Sequence, residues 1–443
     1  MSNLARRLHH GRAAALAALL AAALGTPAAA AEQPFEDLIA NLKSPTWKTR
    51  QAAVQDLGKS RRREAVAPIS ALVRDPEVRV RLEVVKALRS LRDLSGVPAL
   101  VTALQDGEPE IREEAIGTIV EIYAERERAG PIDRFLEAFS DEYDRQSVPP
   151  YTAVDPSVFR GLSATLRDEK KSIRAESAYA IGILGGGSAV PALVAATQDP
   201  EADVRGAAAT AIGKVGTAED GKALIPLLAD SASVRNRAIS AVGVLRVRDA
   251  GPALREGYEQ NKRRDLGVRF LSALSRIGDP AQGDLFRELL SSTDPEVRRL
   301  AVEGLGRIAD PSTLPAFKKD YQREKNPDVQ LAYNFAIAAL GDRAFLDAIV
   351  LALGSSSARA RRARDYVLEL GLPIAPDLYP YLNDRDPEVR GALCDVLAQL
   401  GDPNATPKLQ PLLTDPNSKV ADRANRAIEK LRRAGRGSAA PAP

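Results

Sequence analysis

The sequence is nearly empty of the residues that most often do chemistry. It has two histidines, one cysteine, one tryptophan and one methionine in 443 residues, and aromatics make up only 5%. Both histidines, His9 and His10, lie at the extreme N-terminus. Without histidine from residue 11 onward, no Ser-His-Asp or Cys-His nucleophile can form, and no His-ligated zinc site. A single cysteine, Cys394, provides neither an internal disulfide nor a four-cysteine metal site. No GxGxxG or Walker-type phosphate loop is present, and Gly185 to Gly187 read as a helix end and turn. Acidic residues are plentiful, but no two are singled out as an acid–base pair. The expectation is a protein that is not an enzyme and carries no cofactor, metal or disulfide.

Charge is balanced as well. The chain carries 62 basic and 59 acidic residues. Arg6, Arg7 and Arg12 precede an apolar run from Ala13 to Leu24, which Gly25, Thr26 and Pro27 break before the small residues Ala28 to Ala31. The run is too short to span a bilayer. Residues 1–31 therefore read as a cleaved secretory signal peptide, cut after Ala30 or Ala31. This predicts a periplasmic or secreted protein with no transmembrane segment once the signal is removed. The three arginines leave with the leader and no acid does, so 59 of each sign remain. A net charge near zero argues against nucleic acid as a partner.

What is abundant is repetition. Residues 204–216 (VRGAAATAIGKVG), 297–309 (VRRLAVEGLGRIA) and 389–401 (VRGALCDVLAQLG) share one apolar spacing, the face of an α-helix. The position after the first apolar residue marks a register: 50, 81, 112, 174, 205, 235, 267, 298, 330, 360, 390 and 421. All gaps are 30–32 residues except one of 62. A shorter apolar stretch precedes each such helix, as in VPALVTAL (97–104), VPALVAAT (190–197) and ALIPLLAD (223–230). The turns between are often Asp-Pro, at 75–76, 199–200, 294–295, 386–387 and 415–416. Asp caps free N–H groups and Pro fits the first helical position. Gly185, Gly216, Gly278, Gly341, Gly371 and Gly401 are placed for left-handed helix ends.

This pattern resembles the short bacterial HEAT-like repeats of the phycobilisome-lyase type, over roughly residues 34 to 433. The resemblance implies an all-α fold, a right-handed superhelical α-solenoid of about 12–13 two-helix repeats. It also implies that the arginines found at eight of the twelve register positions form an Asp–Arg ladder between repeats. The expected organisation is a signal peptide at 1–31, repeats 1–3 at 34–126, a degenerate repeat at 127–157, repeats 5–13 at 158–433 and a disordered tail at 434–443. Pro149 and Pro150 forbid helix in the degenerate unit, leaving a loop at 145–156. Cys394 aligns with Ala209, a small buried position, and reads as an inert packed thiol.

The function implied is an exported scaffold or adaptor that binds a protein or peptide on the concave face lined by the second helices. The rival readings are a lyase-like or chaperone-like protein acting on another protein, and a structural part of an envelope assembly. Outward positions lie one, two, five and nine residues after the register point. They select Glu83, Glu113, Glu114, Glu121 and Glu176 early in the chain, and Arg237, Arg269, Arg276, Arg299, Arg307, Arg361 and Arg362 later. Tyr143 and Tyr151, beside the proline-rich loop, complete the candidate partner-binding set.

Overall fold

The computed structural model describes residues 34–124, 153–262, 264–355 and 357–438. The expected signal peptide, most of the degenerate repeat, Tyr143 and Tyr151 lie outside the described residues. Among the described residues every regular element is helical. Twelve helices carry the twelve register points. They are α1 (Trp47–Lys59), α2 (Val78–Leu91), α3 (Pro109–Ala124), α4 (Lys171–Leu184), α5 (Ala202–Val215) and α6 (Ala232–Val244). They continue as α7 (Asp265–Ile277), α8 (Pro295–Ile308), α9 (Pro327–Ala339), α10 (Ser357–Leu370), α11 (Pro387–Leu400) and α12 (Ser418–Ser438). A shorter helix precedes each one. The last helix runs to Ser438, beyond residue 434 where the tail was expected to begin. The chain divides into two compact units, residues 1–99 and 100–443. No described helix is long and apolar enough to cross a membrane.

The repeat is an α-solenoid built from small residues. In α5, Val204, Ala207, Ala208, Ala209 and Ile212 are all fully buried, which is the apolar face read from the sequence. Small side chains let successive second helices approach closely. A methyl group on Gly306 would sit 2.8 Å from the Ala336 Cα, and one on Gly213 would sit 3.2 Å from the Ala241 Cα. Cys394 is fully buried at its expected position. Burial pushes its thiol up to about 12, so it packs as a small hydrophobe.

The helix ends depart from the sequence reading in two ways. Gly185, Gly278, Gly341, Gly371 and Gly401 adopt positive φ, but Gly216 is extended at φ −84°. The chain there enters Asp220–Ala229, a 3₁₀ element with Pro226 inside it. Non-glycine residues take the left-handed place elsewhere: Arg61, Arg92, Arg246 and Ala309. The Asp-Pro turns also split into two kinds. Asp294 and Asp386 are true N-caps with Pro at the first helical position. Asp75, Asp199 and Asp415 stand two residues further upstream and do a second job.

That job is the ladder. The Asp199 carboxylate accepts the Glu201 N–H at 2.9 Å, and accepts Arg174 Nε and Nη2 at 2.7 and 2.9 Å. Arg174 Nη1 donates to the carbonyls of Asp168 and Glu169 in its own turn. One guanidinium thus ties two successive turns. The same bidentate rung joins Arg50 to Asp75, Arg205 to Asp230, Arg298 to Glu324 and Arg390 to Asp415. The carboxylate comes from the following turn, while the preceding turn supplies only carbonyls. Arg112 meets Asp168 in the same way at 2.6 and 2.9 Å, although 56 residues separate them. So α3 and α4 are direct neighbours in the stack.

These pairs are mostly shielded from solvent; the Arg174 and Asp199 side chains are 13% and 9% exposed. Arg174→Ala orphans a shielded carboxylate and two carbonyls and is expected to cost about 2–3 kcal/mol. Arg174→Lys is expected to recover little, because an ammonium cannot reproduce the planar fork. Urea unfolding of the two variants beside wild type checks this; a Lys variant as stable as wild type would show that charge alone suffices.

Candidate functional site

The second-helix face of the larger unit bears a cleft of about 710 Å³. Its walls come from α6, α7, α8 and α10. Between α8 and α10 lies α9, whose outward positions are Leu331 and Phe335 in place of charges. Both are buried. Because α9 presents nothing long or charged there, side chains of α8 and α10 meet across it. Tyr366 stacks on Phe335 with ring centroids 4.4 Å apart and planes 15° apart. The Arg307 guanidinium lies 5.3 Å from the Phe335 ring centre.

An ion network forms the floor. Glu303 pairs with Arg299 and, at 3.3 Å, with Arg307, and it accepts the Tyr366 hydroxyl. Arg299 also reaches Glu296 at 2.6 Å. Arg307 holds Glu369 by Nε at 2.9 Å and Nη2 at 3.0 Å, and donates to the Ser275 hydroxyl at 3.0 Å. Arg246, from the turn after α6, reaches the same Glu369 at 2.5 Å. Contacts between α6, α8 and α10 on this one face place it on the inside of the local bend. Burial alone would raise the Glu303 carboxyl, but the cations of Arg299 and Arg307 and the Tyr366 hydroxyl hold it below the usual range. Burial and the adjacent Glu303 charge push Tyr366 far above its ordinary value. At pH 7 the network is ionic and its phenol is neutral.

The rim is different. Arg276 and Arg361 line the cleft, are exposed, and make no hydrogen bond or ion pair among the described residues. Asp365 lies on the same rim, and burial raises its carboxyl against the pull of Arg364, Arg276 and Arg361.

Five of the sequence-selected arginines therefore come together here: Arg276, Arg299, Arg307, Arg361 and Arg362. Two of them are not open contact residues as expected. Arg299 and Arg307 are buried with acidic partners, because α9 leaves room for acids of α8 and α10 to close on them. Arg362 pairs with Asp328 at 3.2 Å. Arg237 is set apart: it donates to the Tyr179 hydroxyl and lies over that ring. Arg269 is exposed and outside the cleft lining. Among the acids, Glu113 accepts the Ser172 hydroxyl at 2.6 Å. Burial and the nearby Glu113 charge raise Glu176. Glu114 and Glu121 are half-buried on α3, and Glu83 is half-buried on α2 in the smaller unit.

Sequence reasoning missed Glu303, Asp365, Glu369, Tyr366 and Arg246. The first three occupy the same outward positions, five or nine past the register, that selected the arginines; only one sign of charge had been followed there. Tyr366 and Arg246 carried no such signal.

A family model described as HEAT repeats matches residues 35–120, 69–145, 160–243, 251–330 and 374–441. It is the general HEAT model and does not single out the phycobilisome-lyase type. No curated protein matches the chain. Among solved structures, an engineered protein is 20% identical over 90% of this chain and 98% of its own, with a TM-score of 0.35. The YIBA protein of Escherichia coli is 18% identical over 61% of this chain and 92% of its own, with a TM-score of 0.40. Yeast importin-β (Kap95p) is 14% identical over 90% of this chain, which spans 57% of its length, with a TM-score of 0.44.

Proposed function

We propose that this chain, which belongs to the HEAT-repeat family, is an exported, non-catalytic scaffold that binds a protein partner on its second-helix face. One observation carries the reading. On the inside of the bend, Arg246, Arg299, Arg307 and Arg362 are each ion-paired, whereas Arg276 and Arg361 stand exposed over a cleft with no ion pair or hydrogen bond among the described residues. Internal pairing builds the wall, and the two uncommitted cations are left for another molecule. The acids Glu113 and Glu176 on α3 and α4 give a different part of the same face the opposite character, which would orient a partner of mixed charge. The non-catalytic part rests on the lack of histidine beyond residue 10 and on a lone buried thiol. Export rests on the leader-like residues 1–31.

Cross-linked pull-down from the producing cell's envelope and soluble fractions tests the binding. Arg269→Glu, Arg276→Glu and Arg361→Glu together are expected to abolish capture of the partner seen with wild type. Arg307 is left intact because reversing it would break the floor of the cleft. Unchanged capture would remove the second-helix face as the binding surface. The mature protein is expected to start at Ala31 or Glu32; an intact Met1 in the active protein would end the export reading.

A further inference from the structure

The cleft walled by α6, α7, α8 and α10 has a composition that narrows its ligand. Six arginines line it, against the three carboxylates of Glu303, Asp365 and Glu369. Two of these arginines also hold acids beyond the lining, Arg299 with Glu296 and Arg362 with Asp328, so six guanidiniums meet five carboxylates. The cations without an ion pair are the reachable ones: Arg276 and Arg361 are exposed and share only the neighbouring charge of Asp365. In the same lining Arg299, only 8% exposed, keeps its Nε–H without a hydrogen-bond partner although its two terminal nitrogens are paired. A buried donor without an acceptor, in the same lining as two arginines without an ion pair, marks a cleft with more donors than it can satisfy by itself.

We propose that this cleft binds an extended acidic segment of a partner protein, with carboxylates received by Arg276 and Arg361. The inference rests on the scaffold reading above and specifies its ligand. Guanidinium groups bind carboxylates through paired, planar hydrogen bonds, so two separated arginines suit two separated Asp or Glu side chains. The volume of about 710 Å³ is in the range of ligand sites and holds a few residues of extended chain. Glu303 and Glu369 are already saturated by arginines and do not repel strongly. Asp365 remains as an acceptor for a peptide N–H or a basic side chain, which suits a polypeptide better than a uniform polyanion. A nucleic-acid backbone would need an unbroken basic track, and acids interrupt this one.

Fluorescence anisotropy of the full chain with dye-labelled oligoglutamate, and with oligoglutamine as control, tests the proposal. Oligoglutamate is expected to bind and to weaken with added salt, while oligoglutamine does not bind. The double variant Arg276→Glu, Arg361→Glu is expected to lose about 30-fold or more in affinity. Arg269→Glu, a charge reversal outside the cleft, is expected to stay close to wild type. The milder pair Arg276→Gln, Arg361→Gln, checked for an unchanged thermal midpoint, separates loss of the site from loss of fold. Equal binding of the two peptides would overturn the proposal, as would equal losses in Arg269→Glu and the double variant. Complete displacement by inorganic phosphate at the peptide's own concentration would also overturn it, showing a small-anion site. If the double variant loses oligoglutamate yet still captures the cellular partner, this inference fails and the scaffold reading stands.

Discussion

Glu303→Gln is expected to destabilise the larger unit by about 3–5 kcal/mol, the largest effect of any single substitution on the second-helix face. The shape of the side chain is kept and only the charge is removed. Arg299 and Arg307 would then lie buried without the carboxylate they share, and the neutral Tyr366 hydroxyl would lose a charged acceptor. Arg307 would still hold Glu369, and Arg299 would still hold Glu296, so the loss falls on the two bonds that converge at Glu303. Tyr366→Phe removes one hydroxyl and leaves the ions paired; about 1–3 kcal/mol is expected there. Urea unfolding followed by circular dichroism, with hydrogen exchange to locate the loss on α8 and α10, measures both. If the Gln variant falls within 1 kcal/mol of wild type, the buried ions are not what ties these helices together.

Acid should melt the protein early. The rung carboxylates Asp75, Asp168, Asp199, Asp415 and Glu324 are all held below their ordinary values, and Asp230 falls to about 2. For Asp230 the Arg205 hydrogen bonds are the main cause; for Asp75, Asp168 and Asp199 the arginine bonds overcome a burial penalty of opposite sign. A carboxyl depressed in the folded state contributes stability above its unfolded value, near 4, and loses it as pH falls through the folded value. The ladder should therefore be intact at pH 6, weaken below about pH 4 and be gone near pH 2. Glu176, Asp365 and Asp395 are raised by burial and act in the opposite direction, but they are fewer. A fall in thermal midpoint on the order of 10 °C or more between pH 6 and pH 3 is expected. Replacing Asp199 and Asp230 with Asn should flatten that dependence while lowering stability at pH 6. A midpoint that does not change over this range would mean that the rungs contribute nothing.

Much of the fold was legible before any coordinates. Every register point falls in a helix, and Cys394 lies where its alignment with Ala209 put it. These features repeat, and repetition is visible in a linear string. The ladder was legible as a set of arginines, but the choice of acid was not. An Asp two residues before the helix cap faces the preceding turn, whereas an Asp at the cap faces its own helix; Asp-Pro reads the same in both. The cleft was half legible. Outward spacing found its arginines, but it could not tell that Arg299 and Arg307 would be consumed. That depends on Phe335 and Leu331 leaving α9 bare, so that residues 62 apart meet. No local pattern reports such a contact.

The rungs also decide which parts of the stack are interchangeable. The Arg112–Asp168 rung closes as tightly as Arg174–Asp199, although one spans 56 residues and the other 25. The length of chain between two rungs is thus free to vary, while the place of the next turn is fixed. A helix pair whose register residue is Arg and whose turn offers the upstream acid carries a matching tooth and socket, and can be copied or transplanted beside any other such pair. The register residues of α7, α9 and α10 are Gly267, Gln330 and Ala360, which have no tooth. Without a rung to set the next turn, these pairs around the cleft lack the shared joint, whereas pairs joined by a rung, such as those of α3, α4 and α5, can be added or removed one at a time.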